Sequence, residues 1–330
     1  MQPLLQVNHL TITNSDGVKL VDDVSFSLNQ GQMLGLVGES GSGKTLTCRA
    51  IMRLLPNPSL HISSGEVLFQ GQDILKLSER QMRRVRGQGI GMIFQNPATH
   101  IDPLMSIGQQ MMEGLKQSQK LKRADARQRA VELLTQVGIP SPKERLNNYA
   151  HEFSGGMRQR AMIAIALSCN PQVLIADEPT TALDVTVQAQ ILKLLNELQQ
   201  QHQLAIIMIT HDLGVVAQTC DQTAVLYGGR LCETAPTRAL LSQPNHPYTQ
   251  GLISCQPSAN QSATGALKTI AGTPPVASHM PQGCRFHPRC PNEQKICESQ
   301  VPKLCKTSHS HEHSLACHFP LNAQKVCHHE

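Results

Sequence analysis

Eight residues near the N-terminus, Gly38-Glu39-Ser40-Gly41-Ser42-Gly43-Lys44-Thr45, follow the pattern G-x-x-x-x-G-K-[ST]. Glycines at this spacing let backbone N–H groups turn inward around phosphate oxygens, and a following helix points its positive end at the same anion. Lys44 would reach the β- and γ-phosphates, and Thr45 would ligate Mg²⁺. A second set stands at Val173-Leu174-Ile175-Ala176-Asp177-Glu178. An apolar strand ending in Asp177 brings a carboxylate to the Mg²⁺ cluster, and Glu178 beside it is placed to polarise the attacking water. A buried structural carboxylate is the plainer alternative for either residue. The third set is Ser154-Gly155-Gly156-Met157-Arg158-Gln159-Arg160. Ser154 would cap a helix whose N-terminus the two glycines leave bare for an anion. One nucleotide does not easily occupy two helix N-termini of one chain, so the pattern predicts two protomers, each offering one terminus to the other's γ-phosphate.

These groups need rigid elements to hold them. Met33–Val37 is a short apolar run entering the glycine loop, and Leu46–Leu55 after it has helical character. Ile90–Phe94, Val173–Ala176 and Leu204–Ile209 are short apolar runs of the kind buried in parallel sheets. Gln188–Gln201 places Ile191, Leu194, Leu195 and Leu198 on one helical face. Thr223–Leu231, with Gly228-Gly229, reads as a hairpin. Between Gln95 and Asn170 the strand signals vanish, and Ile107–Leu115, Ala124–Val137 and Gly155–Leu167 read as helices. The expected organisation is an α/β nucleotide-binding domain over residues 1–240, with a helical insert at about 96–160, and an extension over 241–330. In the extension Pro, Gly, Ser, Cys and His dominate.

Composition narrows the partners. At about 150 residues per domain, 330 residues allow one large domain and something smaller. An apolar fraction of 40% suffices for a core, and a charged fraction of 16% excludes a highly charged disordered chain. Aromatics at 3%, with no Trp, argue against nucleic-acid binding through stacked bases. A net charge of +5 suits an anionic ligand or membrane face. No apolar stretch approaches the roughly 18 residues that span a bilayer, and the N-terminus shows no signal peptide, so the chain is expected in the cytoplasm. Six of the 11 Cys lie from Cys284 onward, and eight of the 15 His from His279 onward. A reducing compartment favours a metal site there over a disulfide framework.

Gly38–Thr45, Gln95, Ser154–Gln159, Asp177-Glu178, Thr181–Asp184 and Thr210-His211-Asp212 stand in the order and spacing of ATP-binding-cassette (ABC) ATPases, and the resemblance covers about residues 1–235. Leu174–Thr186, His246-Pro247-Tyr248-Thr249 and Gly283-Cys284-Arg285-Phe286-His287-Pro288-Arg289-Cys290-Pro291 narrow it to the D-type ATPase subunits of oligopeptide, dipeptide and nickel importers. The resemblance implies a RecA-like P-loop core with a β-subdomain and a helical subdomain. It also implies ATP and Mg²⁺ as ligands, and a place at the cytoplasmic face of the inner membrane. The implied partners are a second ATPase, two permeases and a solute-binding protein; nucleic acid is not among them. Gln95 would contact Mg²⁺ and the γ-phosphate, His211 would position that phosphate, Asp184 would lie at the dimer seam, and Ser154, Gly155 and Gly156 would act in trans. Members of the family carry an aromatic near position 14 to stack on adenine; here the residue is Asn14, and no aromatic precedes Phe26.

Cys284, Cys290, Cys297 and Cys317 are separated by five, six and nineteen residues. Spacing alone leaves exposed free thiols and zinc open, because zinc favours closer pairs. The resemblance points instead to a structural 4Fe–4S cluster on these four, stapling a tail with too little apolar periodicity to fold on its own core. Cys305 and Cys327 fall outside that pattern, and His309, His311, His313, His328 and His329 read as a polar, disordered end. Two other functions compete with a peptide importer. One is a nickel or metal-chelate importer of the same family. The other is a cytosolic ABC ATPase of the DNA-repair type, for which the chain lacks long insertions and strong basic patches.

Overall fold

Continuous apolar runs and half-buried alternating ones build different sheets in this chain. The computed structural model describes residues 2–256, 269–307 and 310–322. It has strands at Leu5–Thr13 (β1), Lys19–Leu28 (β2), Met33–Val37 (β3), His61–Phe69 (β4), Gln72–Asp73 (β5) and Ile90–Ile93 (β6). Val173–Asp177 (β7), Ala205–Thr210 (β8), Gln222–Tyr227 (β9), Arg230–Pro236 (β10), Cys305–Thr307 (β11) and Ser310–Leu315 (β12) complete the set among the described residues. The chain divides into two compact units, one built on residues 76–209 with the short pieces 1–4 and 29–32, the other on residues 5–28, 33–75 and 210–330.

In the first unit β6, β7 and β8 run parallel, with Ile90 opposite Val173 and Val173 opposite Ala205. Every residue of β6, β7 and β8 is buried, as strands covered on both faces require. Between β6 and β7 lie the helices Ile107–Gln119, Arg123–Gln136 and Gly155–Ser168, where the strand signal was expected to fail. Ser106 opens the first with a capping box to Gln109, and Ile107, Met111 and Leu115 line its buried face. Helix Val185–His202 buries Ile191, Leu194, Leu195 and Leu198, as its periodicity predicts.

The second unit holds an antiparallel sheet of order β2-β1-β4-β5, whose individual strands the apolar periodicity did not disclose. The pairings of β1 with β2 and with β4 shift register several times, which breaks the period-2 pattern. Here too, β3 runs parallel to β9, the β9–β10 hairpin turns at Gly228-Gly229 as expected, and β12 and β11 extend from β10.

The C-terminal part was expected to lack a core of its own. It packs on the core of the region before it: Tyr248 and Phe286 meet Tyr227 edge-on or tilted, with ring centroids 4.6–5.2 Å apart, and join Val225, Ala235 and Leu240. Helices Thr237–Ser242, Pro247–Ser254 and Lys295–Ser299 give it regular structure. Buried Glu233 on β10 anchors it, accepting from the backbone N–H of Asn245 (2.8 Å) and His246 (3.0 Å) and lying 2.8 Å from His313 Nε2. His313, expected in a disordered end, is therefore part of the buried structure; His309, Cys327, His328 and His329 lie outside the described residues.

His246 is fully enclosed, and its Nδ1 accepts from the Tyr248 N–H to cap the following helix. Burial drives its pKa down from 6.5 to about 4, against the pull of Glu233 and a backbone hydrogen bond at Ala316. The unfolded chain therefore binds the extra proton first, so stability falls as pH drops through the window from 6.5 to about 4. His246→Asn keeps a capping side chain and removes this proton site. Urea midpoints followed from pH 7 to 4 should decline less steeply in His246→Asn, by the equivalent of about 3 kcal/mol; equal slopes would disprove the assignment.

Candidate functional site

The glycine loop lies in the second unit, between β3 and helix Lys44–Ile51. Gly38 has no room for a side chain: a Cβ there would stand 2.1 Å from the Leu226 carbonyl oxygen. Gly43 caps the helix with no side chain across its N-terminus. Lys44 is buried, and its Nζ donates to the Gly38 and Glu39 carbonyls at 2.6 and 2.9 Å and approaches Ser42 Oγ at 3.3 Å. The ammonium thus spans the loop from the first turn of the helix, while Ser40 and Gly41 stay exposed at its rim. A glycine loop, a bare helix N-terminus and a lysine drawn across it suit a polyphosphate. Thr45, the next residue of that helix, is half-buried.

The carboxylates lie in the first unit. Asp177 ends β7 and is 1% exposed. Glu178 follows in a left-handed conformation, φ +45°, with its N–H donating to the Ile209 carbonyl at 3.0 Å. A non-glycine residue in that region carries strain, which clusters where function requires it. One carboxylate oxygen of Glu178 accepts from Gln95 Nε2 at 2.7 Å and from Thr181 Oγ1 at 2.9 Å. The structure therefore brings together Gln95 and Glu178, which lie 83 residues apart in sequence.

Ser154 caps helix Gly155–Ser168 as expected, its Oγ accepting from the Met157 N–H at 3.3 Å. Gly155 faces open space, whereas a Cβ on Gly156 would lie 2.9 Å from Val187 Cγ1, so that glycine permits close approach to the neighbouring helix. Asp184 caps that neighbour through the Val187 N–H at 2.9 Å. His211, in the second unit, is exposed after β8, and Asp212 caps the helix behind it. Asn14 organises a turn, its Oδ1 accepting from the N–H groups of Asp16 and Val18 at 3.0 and 2.8 Å.

Two residues absent from the expected site touch the loop. The Tyr248 hydroxyl accepts from the Glu39 N–H at 2.8 Å, and Arg289 grips the Glu39 carboxylate. Both stand in segments that carried the family resemblance, which was the one signal available.

Residues 21–181 match the "ABC transporter" family model, and residues 232–297 match "Oligopeptide/dipeptide transporter, C-terminal region". The chain is 48% identical over 311 residues to the oligopeptide transport ATP-binding protein OppD of Bacillus subtilis, covering 93% of this chain and 87% of that protein. It belongs to the ATP-binding subunits of ABC transporters. The dipeptide transport ATP-binding protein DppD of Escherichia coli is 42% identical, with 97% of each chain covered. Among solved structures, cbiO1 of Clostridium perfringens, part of the ABC transporter complex cbiONQ, aligns with a TM-score of 0.65 at 29% identity, covering 73% of this chain and 92% of its own. The ATP-binding cassette MJ0796, solved as a dimer bound to ADP and Pi, gives 0.64 at 25% identity over 71% of this chain and 99% of its own. The ABC ATPase α/β fold is shared, and ATP hydrolysis with Mg²⁺ is the chemistry of this family.

The iron–sulfur expectation is corrected. Among the described residues no group of three or more His, Cys, Asp or Glu side chains could hold a metal ion. Cys284, Cys290, Cys297 and Cys317 are free thiols; Cys297 is buried, and Cys284 and Cys290 pack against the aromatic core. Burial pushes Cys284 up to about 11 and Cys317 up to about 12, and raises Cys290. Metals bind the thiolate, and this segment folds on rings and arginine contacts instead.

The loop geometry carries a direct expectation for Lys44. Replacing it with Ala should weaken ATP binding in equilibrium dialysis roughly 30-fold, about 2 kcal/mol for a lost charge-assisted contact. Unchanged affinity would show that Lys44 serves only the loop's own carbonyls.

Proposed function

We propose that this ABC ATPase energises import of di- and oligopeptides at the cytoplasmic face of the plasma membrane. The observation that carries the reading is the double match, an ABC cassette followed by the peptide-transporter C-terminal region on one chain. Its relatives are named for oligopeptide and dipeptide transport. No helix among the described residues is long and apolar enough to cross a membrane. The proposed assembly pairs this chain with a second, homologous ATPase beneath two permeases served by a solute-binding protein. MJ0796, solved as a dimer, supports pairing of cassettes. The proposed division is a nucleotide-binding domain over residues 1–240 and an extension over 241–330.

Bound Mg²⁺ would neutralise phosphate charge as the γ-phosphoryl is transferred to water. Lys44 and the remaining N–H groups of the loop 38–45 bind the phosphates, and Thr45, Asp177 and Gln95 would hold the metal. Glu178 orients the water and accepts its proton; two donors on one of its oxygens fix the carboxylate. His211 positions the γ-phosphate. Ser154, Gly155 and Gly156 serve the partner's nucleotide, with Asp184 at the shared seam. The base is held without an aromatic at position 14, which should loosen selection of adenine over other bases.

Glu178→Gln is the test. It keeps an acceptor for Gln95 and Thr181 while removing the base, so the assembled transporter should bind ATP normally and lose at least about 100-fold in turnover. Wild-type hydrolysis by Glu178→Gln would remove Glu178 from this role. Full peptide-stimulated turnover by the isolated monomer would refute the assembly.

A further inference from the structure

One short piece of the C-terminal region grips the phosphate loop at its start and braces the turn that holds its other end. At its start, Arg289 holds Glu39 through two parallel bonds, Nη1 to Oε2 at 2.7 Å and Nη2 to Oε1 at 3.0 Å. Planar, bidentate pairing of this kind fixes orientation as well as distance. Arg289 is itself locked: its side chain is 4% exposed, its Nε donates to the Ala271 carbonyl at 2.8 Å, and its Nη1 donates to the Tyr227 hydroxyl at 3.2 Å. The Tyr248 hydroxyl meanwhile takes the Glu39 N–H. At the other end, the Gly229 N–H donates to the Ser42 carbonyl at 3.0 Å. Arg285 fixes that turn, donating to the Gly228 carbonyl and, at 2.6 Å, to Asp22 Oδ2; Asp22 in turn donates its N–H to the Gly229 carbonyl at 2.9 Å.

Arg289 reaches the nucleotide loop directly, and Arg285, four residues earlier, reaches the Gly228-Gly229 turn that bonds the loop's far end. We propose that Arg289 is a positioning residue for nucleotide binding, through which the C-terminal segment 283–290 sets the affinity of the phosphate loop for ATP. The inference rests on the ATPase reading above. Its physical basis is pre-organisation: a loop whose carboxylate and N–H are already held has less conformational freedom to lose when phosphate arrives. Arg289 touches no nucleotide in this scheme. It acts through Glu39, whose carboxylate is committed to the guanidinium and whose carbonyl accepts from Lys44.

The test uses the full chain in its assembled transporter, with ATP affinity read by equilibrium titration of a fluorescent ATP analogue and turnover read separately. Arg289→Gln should weaken analogue binding about five- to tenfold and raise KM for ATP by a similar factor, with kcat at saturating ATP near that of the wild type. Glu39→Gln, a milder change at a partly exposed carboxylate, should act similarly, and the double variant should be no worse than the poorer single one. Arg289→Lys should fall between, because an ammonium cannot form the fork. Should Arg289→Gln fail to fold, Glu39→Gln alone carries the test. Wild-type affinity and KM in the folded variants, or additive effects in the double variant, would overturn the inference. A wild-type complex that neither binds nor hydrolyses ATP would instead overturn the ATPase reading.

Discussion

A backbone loop that turns N–H groups toward an anion has fewer of them left for internal pairing and needs support from outside. Residues 38–45 meet this constraint by borrowing support. Leu226 of β9 closes on Gly38 so tightly that no Cβ fits, Lys44 spans the loop's own carbonyls, and Tyr248, Arg289 and Gly229 take its outer groups. Much of the second unit follows from this need. The β9–β10 hairpin, the helix Pro247–Ser254 and the segment around Phe286 form one aromatic core, and that core holds the side chains that hold the loop.

The first unit answers a different demand with the same economy. A carboxylate that is to direct a water must not wander, and Glu178 is restrained twice, by a left-handed backbone after β7 and by two donors on one oxygen. Parallel strands buried on both faces place that corner, and the helix Gly155–Ser168 before β7 and the helix Val185–His202 after it carry Ser154 and Asp184 as exposed caps. The capped helices are what the sequence and the structure share at these residues.

What could be read from the sequence was local. The runs at Met33–Val37, Val173–Ala176 and Leu204–Ile209 are continuous and apolar, and their strands appear within a residue of expectation. The loop, the Asp-Glu pair and the caps are contiguous motifs. What could not be read was either irregular or distant. Strands β1, β2 and β4 slip register repeatedly, which erases alternation. The Glu39–Arg289 pair spans 250 residues and the Asp22–Arg285 pair 263, separations at which no periodicity speaks. The C-terminal core was hidden by composition: in a chain with 3% aromatics, two of its three tyrosines converge with Phe286 from separate segments. A tail rich in Cys and Pro therefore invited a metal staple, when rings and salt links suffice.

The central claim is that the phosphate loop is held from outside by the C-terminal core. Amide hydrogen exchange at Glu39, resolved to the single residue in the full-length wild type and in Tyr248→Phe, tests it most directly. The hydroxyl–amide bond predicts slow exchange at Glu39 in the wild type and acceleration of about tenfold or more in Tyr248→Phe, with the amides of β9 and β10 unchanged. Fast exchange at Glu39 in the wild type, or a rate unmoved by loss of the hydroxyl, would contradict the account.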